Sequence, residues 1–172
     1  MYFGIAVFPQ KSVQDIINSY RKRYDPHYSL IPPHITLKEK FDLPEEKVDE
    51  AAEKLEAIAK QCKAFTIKFH KVSHFHPTSN TIYLAIENSE PLVELHNKIE
   101  DVFEPVDSPY DYIPHLTIGQ KMSEDELHDV YGSLRMRNFE LETKIDRFHL
   151  LYQLENGVWN IYQSFLLRRS SN

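Results

Sequence analysis

The chain has 172 residues, 41% of them hydrophobic and including 10 Phe and 10 Tyr, which is enough apolar material for one packed domain. Its formal net charge of −6 argues against binding to duplex DNA, which depends on clustered Lys and Arg, and the single cysteine, Cys62, excludes an intramolecular disulfide and a cysteine-based zinc site. No apolar run approaches the roughly 20 residues of a membrane span and no signal peptide is apparent, so we expect a cytoplasmic protein without a membrane partner.

The first half of the chain alternates strand and helix patterns. Residues 2–8 predict a strand that places Gly4 and Ala6 on the face away from the core. Ser12 with Asp15 predicts the start of a helix. The further elements expected in this half are a strand from 34 to 41, a helix opening at 44–46 and a strand over 65–75.

The same order of elements then restarts. We expect a strand over 81–86, a helix after Ser89, a strand over 115–120 and a helix opened by a Ser123–Glu126 capping box. The C-terminal third predicts strands over about 139–154 and 158–167, joined by a tight turn at Asn156-Gly157.

The spacing of two pairs of residues indicates an internal duplication. Tyr2 precedes His34 by 32 residues, and Tyr83 precedes His115 by 32 residues. The predicted pseudo-repeats cover about 1–76 and 81–167. We therefore expect an α+β fold, with residues 1–172 forming a single bilobal domain. Its two pseudo-symmetric lobes would each be an antiparallel sheet with outer helices, and the active-site cleft would lie between them.

Two segments share the pattern Pro-His-aliphatic-Thr-aliphatic, at residues 33–37 and 114–118. Residues i and i+2 of a strand share a face, so His34 accompanies Thr36 and His115 accompanies Thr117, while the aliphatic residues anchor the opposite face. A neutral imidazole can take a proton from water and a protonated one can donate a proton to a leaving oxygen. Threonine hydroxyls can donate to phosphate oxygens. The paired segments thus predict phosphoryl transfer without a metal ion.

These paired segments resemble the motifs of the 2H phosphoesterase superfamily, which is defined by two His-x-Thr/Ser-x motifs. That superfamily includes RNA 2′,3′-cyclic phosphodiesterases, formerly described as 2′-5′ RNA ligases, and the chain looks most like its small bacterial phosphoesterases. The resemblance implies a bilobal fold in which His34 is the general acid and His115 the general base. It also implies hydrolysis of a cyclic 2′,3′-phosphodiester on a nucleotide or a short RNA end, without a cofactor.

Two further residues are predicted to contact the substrate. Lys38 continues the predicted face of His34 and is expected to attract an anion. Tyr83 lies on the non-core face of its strand, where its ring is able to stack on a base. Other histidines are assigned to the surface: His96 and His128 on helices, and His149 facing outward from its strand.

Two other functions remain open at this stage. The same cleft would suit a protein that binds nucleotides or RNA ends without turnover. Alternatively, His70, His74 and His76 lie close together in sequence and suggest a metal-dependent hydrolase. No carboxylate lies near them at a ligand-like spacing, so a solvated bend without a metal is preferred. The sequence indicates no particular oligomeric state.

Overall fold

The computed structural model describes residues 1–105, 108 and 110–169. In this part of the chain eight strands and four helices follow one another: β1 Tyr2–Val7, α1 Lys11–Tyr24, β2 Ile35–Asp42, α2 Glu45–Gln61, β3 Phe65–His74, β4 Ile82–Ile86, α3 Glu90–Glu100, β5 His115–Gly119, α4 Glu124–Leu134, β6 Leu141–Ile145, β7 Arg147–Gln153 and β8 Trp159–Leu166. Within these residues, none of the helices combines the length and apolar character needed to cross a membrane.

The strands form two four-stranded antiparallel sheets. The first has the order β2-β1-β7-β8 and the second has the order β5-β4-β3-β6. Helices α2 and α3 contact strands of the first sheet, whereas α1 and α4 contact strands of the second. The predicted α+β fold with two antiparallel sheets and outer helices is confirmed.

Local sequence signals explain most element ends, with two exceptions. The Ser123 hydroxyl accepts a hydrogen bond from the Glu126 N–H at 3.1 Å, as the capping box predicted. The predicted turn is also present, with Gly157 at a φ of 90° between β7 and β8. The prediction that Ser12 starts α1 is wrong, because the helix begins at Lys11 and has no side-chain cap.

The second exception is the strand expected over 139–154. It is divided at Asp146 into β6 and β7, and the two pieces belong to different sheets. Hydrophobic alternation shows which face of a strand is buried but does not show which sheet the strand joins. The crossing between the sheets at this point could therefore not be predicted from the pattern.

A bulge in β2 changes which side chains share a face in the first sheet. Thr36 lies opposite Ala6 of β1, but Lys38 lies opposite Ile5, so β2 contains one extra residue at this point. Because side chains opposite one another share a face, Thr36 lies on the face of Ala6 and Lys38 lies on the core face of Ile5.

The second sheet has the same irregularity at the equivalent place. Thr117 lies opposite Tyr83 of β4, and Gly119 lies opposite Ile82. The two motif strands therefore pair with their neighbours in the same way, with Ala6 and Tyr83 in equivalent positions. The spacing of 32 residues had instead aligned Tyr2 with Tyr83, and that alignment of the opening strands is wrong.

The aliphatic residues of both motifs are part of one continuous core. Ile35, Leu37, Leu116 and Ile118 are all 0% exposed and belong to the same hydrophobic cluster. Each such side chain contributes about 1.5–3 kcal/mol by leaving water, so the motif strands are firmly anchored. Their alternate residues are thereby held on the opposite face.

Candidate active site

The two motif strands meet at the edges of their sheets. β2 is the edge strand of the first sheet, β5 is the edge strand of the second, and the two strands contact each other. His34 immediately precedes β2 and His115 is the first residue of β5, and both rings are half-buried. The sheet edges therefore bring the predicted pair of segments together.

Each motif histidine is held by the same backbone hydrogen bond. Nδ1 of His34 lies 2.9 Å from the carbonyl oxygen of Pro32, and Nδ1 of His115 lies 2.7 Å from that of Ile113. A carbonyl oxygen only accepts, so Nδ1 carries the proton and donates in both rings. Nε2 is left with a free lone pair on each ring, and this nitrogen is the one available for proton transfer.

The surroundings favour the neutral form of both rings. The pKa of His34 is lowered to about 4, mainly because the ring is buried. The hydrogen bond to Pro32 and the charge of Asp25 oppose this change, whereas the charges of Arg21 and His115 add to it. Burial also lowers the pKa of His115.

The threonines and Tyr83 lie beside the histidines. Thr36 and Thr117 are half-buried, and Thr117 shares a face with Tyr83 across the β4–β5 pair. The Tyr83 ring stacks on Phe75 at a centroid distance of 4.2 Å and contacts the His115 ring at 5.2 Å. Phe75 also meets His115 edge-on at 4.9 Å, so two aromatic rings fix the position of this imidazole.

Comparison with known proteins identifies the family. The model of the 2′-5′ RNA ligase superfamily matches residues 8–157. The chain belongs to this superfamily. The predicted resemblance to the 2H phosphoesterases is thus confirmed.

This member of the 2′-5′ RNA ligase superfamily aligns with similar proteins over nearly the full length of both chains. A protein of Geobacillus sp. (strain WCH70) named "Putative phosphoesterase" is 50% identical over 167 residues, which are 97% of this chain and 96% of the relative. The structure of TT0787 of Thermus thermophilus has a TM-score of 0.73 at 18% identity and covers 99% and 100% of the two chains. E. coli LigT complexed with 3′-AMP has a TM-score of 0.71 at 16% identity, with 96% and 97% covered. These two structures share the fold.

A buried ion pair supports the loop before the first motif of this 2′-5′ RNA ligase superfamily member. Arg21 is 1% exposed; its Nε lies 3.2 Å from an Asp25 carboxylate oxygen, and its Nη2 donates to the carbonyl oxygen of Ile31 at 2.7 Å. Asp25 also accepts from Gln120 Nε2 at 3.0 Å, directly after β5. The network therefore links the approach to His34 with the end of the second motif strand.

Sequence reasoning missed this ion pair, although a signal was present. Arg21 follows Val13 and Ile17 at intervals of four residues, so it continues the buried stripe of α1. A charged residue at such a position requires a partner, and Asp25 stands one helical turn further on.

A second link joins the approach to His115 with the first motif strand. The Tyr112 hydroxyl donates to the carbonyl oxygen of Thr36 at 2.7 Å. Its ring stacks on His96 at 3.8 Å, and His96 Nδ1 lies 2.6 Å from the carbonyl oxygen of Leu37. Each motif is thus tied to the segment flanking the other, and this cross-linking was not predicted either.

The predicted position of Lys38 is wrong. The bulge turns it away from the face of Thr36, and the residue is only 6% exposed. Its ammonium group lies 3.2 Å from a Glu100 carboxylate oxygen and above the rings of Phe41 and Phe103. Its charge is compensated inside the protein, so we exclude it from the proposed substrate contacts.

The predictions for the remaining histidines are confirmed in part, since His128 is exposed as predicted but His149 is buried. His149 does face away from the core, but it is only 8% exposed and its Nδ1 lies 2.7 Å from the Ser164 hydroxyl. His70 is exposed and the His74 ring packs edge-on against Tyr131 at 4.7 Å. In the described residues, His76 instead lies near Glu124 and His128.

Proposed function

We propose that this chain is a phosphoesterase that hydrolyses a cyclic 2′,3′-phosphodiester of a nucleotide or a short RNA end. The observation that carries the proposal is the pair of Nδ1 hydrogen bonds, which leaves one free Nε2 on each motif histidine where the two sheet edges meet. The names of the relatives support a phosphoesterase. The 3′-AMP bound to LigT is the monoester that forms when adenosine 2′,3′-cyclic phosphate is opened at its 2′ oxygen.

The reaction needs one proton acceptor and one proton donor. We assign His115 as the general base: its Nε2 takes a proton from water while the water oxygen forms a new bond to phosphorus. His34 is the general acid, whose protonated Nε2 delivers a proton to the ribose oxygen as its bond to phosphorus breaks. Water is thereby added across one P–O bond, and a phosphate monoester is the product.

The nonbridging phosphate oxygens carry the negative charge throughout the reaction. In the proposal the hydroxyls of Thr36 and Thr117 donate hydrogen bonds to them, one from each motif strand. The anionic phosphate also favours the protonated form of a neighbouring imidazole, which opposes the effect of burial on its pKa. Substrate binding therefore helps to create the acid that the reaction needs.

The test is turnover of 2′,3′-cyclic nucleotides in excess chelator. We expect His34→Ala and His115→Ala each to lower kcat by about 10²–10⁴-fold, the usual contribution of a positioned acid or base. His70→Ala is the matched control, since His70 is an exposed histidine on β3 outside the motifs, and its activity is expected to equal that of the wild type.

Each alternative function has its own outcome in this assay. Tight nucleotide binding without turnover across a panel of phosphodiesters would replace the proposal with a binding protein. Loss of turnover in chelator would indicate a metal-dependent hydrolase. Turnover that survives both motif substitutions would show that the reaction takes place elsewhere.

A further inference from the structure

Three potential metal ligands converge on the outer side of the second sheet. His76 follows β3, while Glu124 and His128 lie one turn apart on α4, so their side chains share one helix face. One ligand atom from each residue lies within 4.8 Å of the other two. None of the three belongs to the motif segments.

The distances suit coordination better than hydrogen bonding. A single Glu124 carboxylate oxygen lies 3.6 Å from Nε2 of His76 and 3.7 Å from Nε2 of His128. Charge-assisted hydrogen bonds are shorter, about 2.7–2.9 Å. Two ligands of a tetrahedral zinc ion, each bound at about 2.0–2.1 Å, are separated by about 3.3 Å. Movements of a few tenths of an ångström, on the order of that difference, would bring Glu124 to a coordinating separation from each histidine, and the ligand atoms of the two histidines lie within 4.8 Å of each other.

Asn80 holds His76 in the form that binds a metal. The Asn80 amide group donates to the carbonyl oxygen of Met122 at 2.9 Å, so its own oxygen is the atom that lies 3.2 Å from His76 Nδ1. That oxygen only accepts, and Nδ1 therefore carries the proton. The Nε2 lone pair is left pointing toward Glu124. A hydrogen bond of this kind behind a histidine is the usual support of a metal ligand.

We propose that His76, Glu124 and His128 bind one divalent transition-metal ion of the zinc type. Two imidazoles and one carboxylate match the preferences of zinc, whereas magnesium and calcium favour sites made only of oxygen ligands. The side chains of Glu124 and His128 are 64% and 57% exposed, so the ion can enter from solvent and take a water molecule as a fourth ligand.

Binding would join the segment after β3 to α4. That segment includes Phe75, whose ring contacts both His115 and Tyr83. The ion would therefore hold in place the segment that packs behind one motif histidine. It would take no part in the proposed reaction, because its ligands lie outside the motif pair.

Calorimetric titration of the metal-free protein with zinc tests the site. We expect one equivalent to bind to the wild-type chain and to raise its Tm. Glu124→Gln and His128→Gln should each weaken binding by about 100-fold or more, and Asn80→Ala by about 10–100-fold. His70→Gln is the matched control, an exposed histidine outside the cluster, and should bind zinc as the wild type does.

Other outcomes would overturn the proposal. Zinc binding that is unchanged in Glu124→Gln and His128→Gln, or absent from the wild type, would show that the cluster is only an ion-pair arrangement. Binding that is lost instead in His34→Ala and His115→Ala would place the ion at the motif pair. Both α4 substitutions are at exposed side chains, and circular dichroism of the metal-free variants checks that they remain folded.

Discussion

At the scale of single residues, the two motif histidines present a problem of protonation. The pKa of each is lowered by burial, so in the free protein both are neutral at neutral pH, although the proposed reaction needs one of them protonated. The competent form of the free protein therefore becomes more abundant as the pH falls below 6.5, the ordinary histidine value.

We predict a bell-shaped dependence of kcat/KM on pH with its maximum below pH 6.5. The acid limb reports protonation of the base, and the other limb reports loss of the proton from the acid. Steady-state kinetics with a 2′,3′-cyclic nucleotide over a range of buffers measures the profile. A maximum of kcat/KM above pH 6.5, or a profile with a single limb, would contradict paired acid–base catalysis by these two rings.

The lowered pKa of His34 also predicts how the stability of the protein depends on pH, independently of the reaction. His34 has a pKa of about 4 in the folded protein and about 6.5 when unfolded. Between these pH values the unfolded chain binds more protons than the folded protein does. A lower pH therefore favours the unfolded chain and destabilises the folded protein. The free energy of unfolding should fall by up to about 2–3 kcal/mol from this group alone.

Urea unfolding at several pH values between about 7 and 4.5 checks this effect of His34. In His34→Gln, which removes the titrating ring, the decline of the unfolding free energy should be shallower than in the wild type. His70→Gln serves as the control and should keep the wild-type slope. Parallel curves for His34→Gln and the wild type would contradict the assigned pKa.

The residues that could be predicted are those that follow strand periodicity close to the motif. The aliphatic neighbours of His34, Thr36, His115 and Thr117 are fully buried, as the alternation predicted, and the four motif residues between them are half-buried. Beyond the motif the periodicity fails, since one extra residue in β2 turns Lys38 toward the core. A bulge is set by how two strands pair, and one strand's hydrophobic pattern does not contain that information.

At the scale of secondary structure elements, the end of β5 lies unusually close to the end of α1. The N–H of Gln120 donates to the carbonyl oxygen of Tyr24 at 3.1 Å. A Cβ added to Gly119 would lie 2.7 Å from Tyr24 Cβ and 3.0 Å from the Tyr24 carbonyl oxygen. Only glycine allows this approach without moving the strand or the helix.

We predict that Gly119→Ala lowers the free energy of unfolding by about 1–3 kcal/mol, because backbone atoms must separate to admit the methyl group. Gly132→Ala is the matched control in α4, where an added Cβ meets nothing within 4 Å. That change should instead stabilise the protein by about 0.5–1 kcal/mol through helix propensity. Urea unfolding of both variants measures the difference, and equal effects would contradict the close contact.

At the scale of the whole molecule, the sheets do not follow the boundary between the sequence repeats. β3 lies in the second sheet between β4 and β6, while β7 and β8 return to the first sheet beside β1. The element types and their order could be predicted from periodicity and capping. The exchange of strands could not, because the periodicity of a strand shows which face is buried but not which sheet it joins.

This exchange predicts that the two halves depend on each other for folding. In a fragment of residues 1–80, β3 would lose both its neighbours, and β1 would keep β2 but lose β7. A fragment of residues 81–172 would leave β7 and β8 without β1. In the fragment of residues 1–80, helix α1 would also lose its contact with β5, which belongs to the other fragment. Neither fragment retains a complete sheet or its share of the common core.

We therefore expect the intact chain to unfold in one calorimetric transition, and each fragment alone to unfold without a cooperative transition. When the two fragments are mixed, their strands should pair as in the intact chain. The near-ultraviolet circular dichroism of Trp159, the chain's only tryptophan, should then return. Trp159 reports on this exchange because its ring lies over Gly4, at 3.4 Å from the position of an added Cβ, and the two residues belong to different fragments. A cooperative transition in the 1–80 fragment alone would show that the repeats fold as separate units despite their shared sheets.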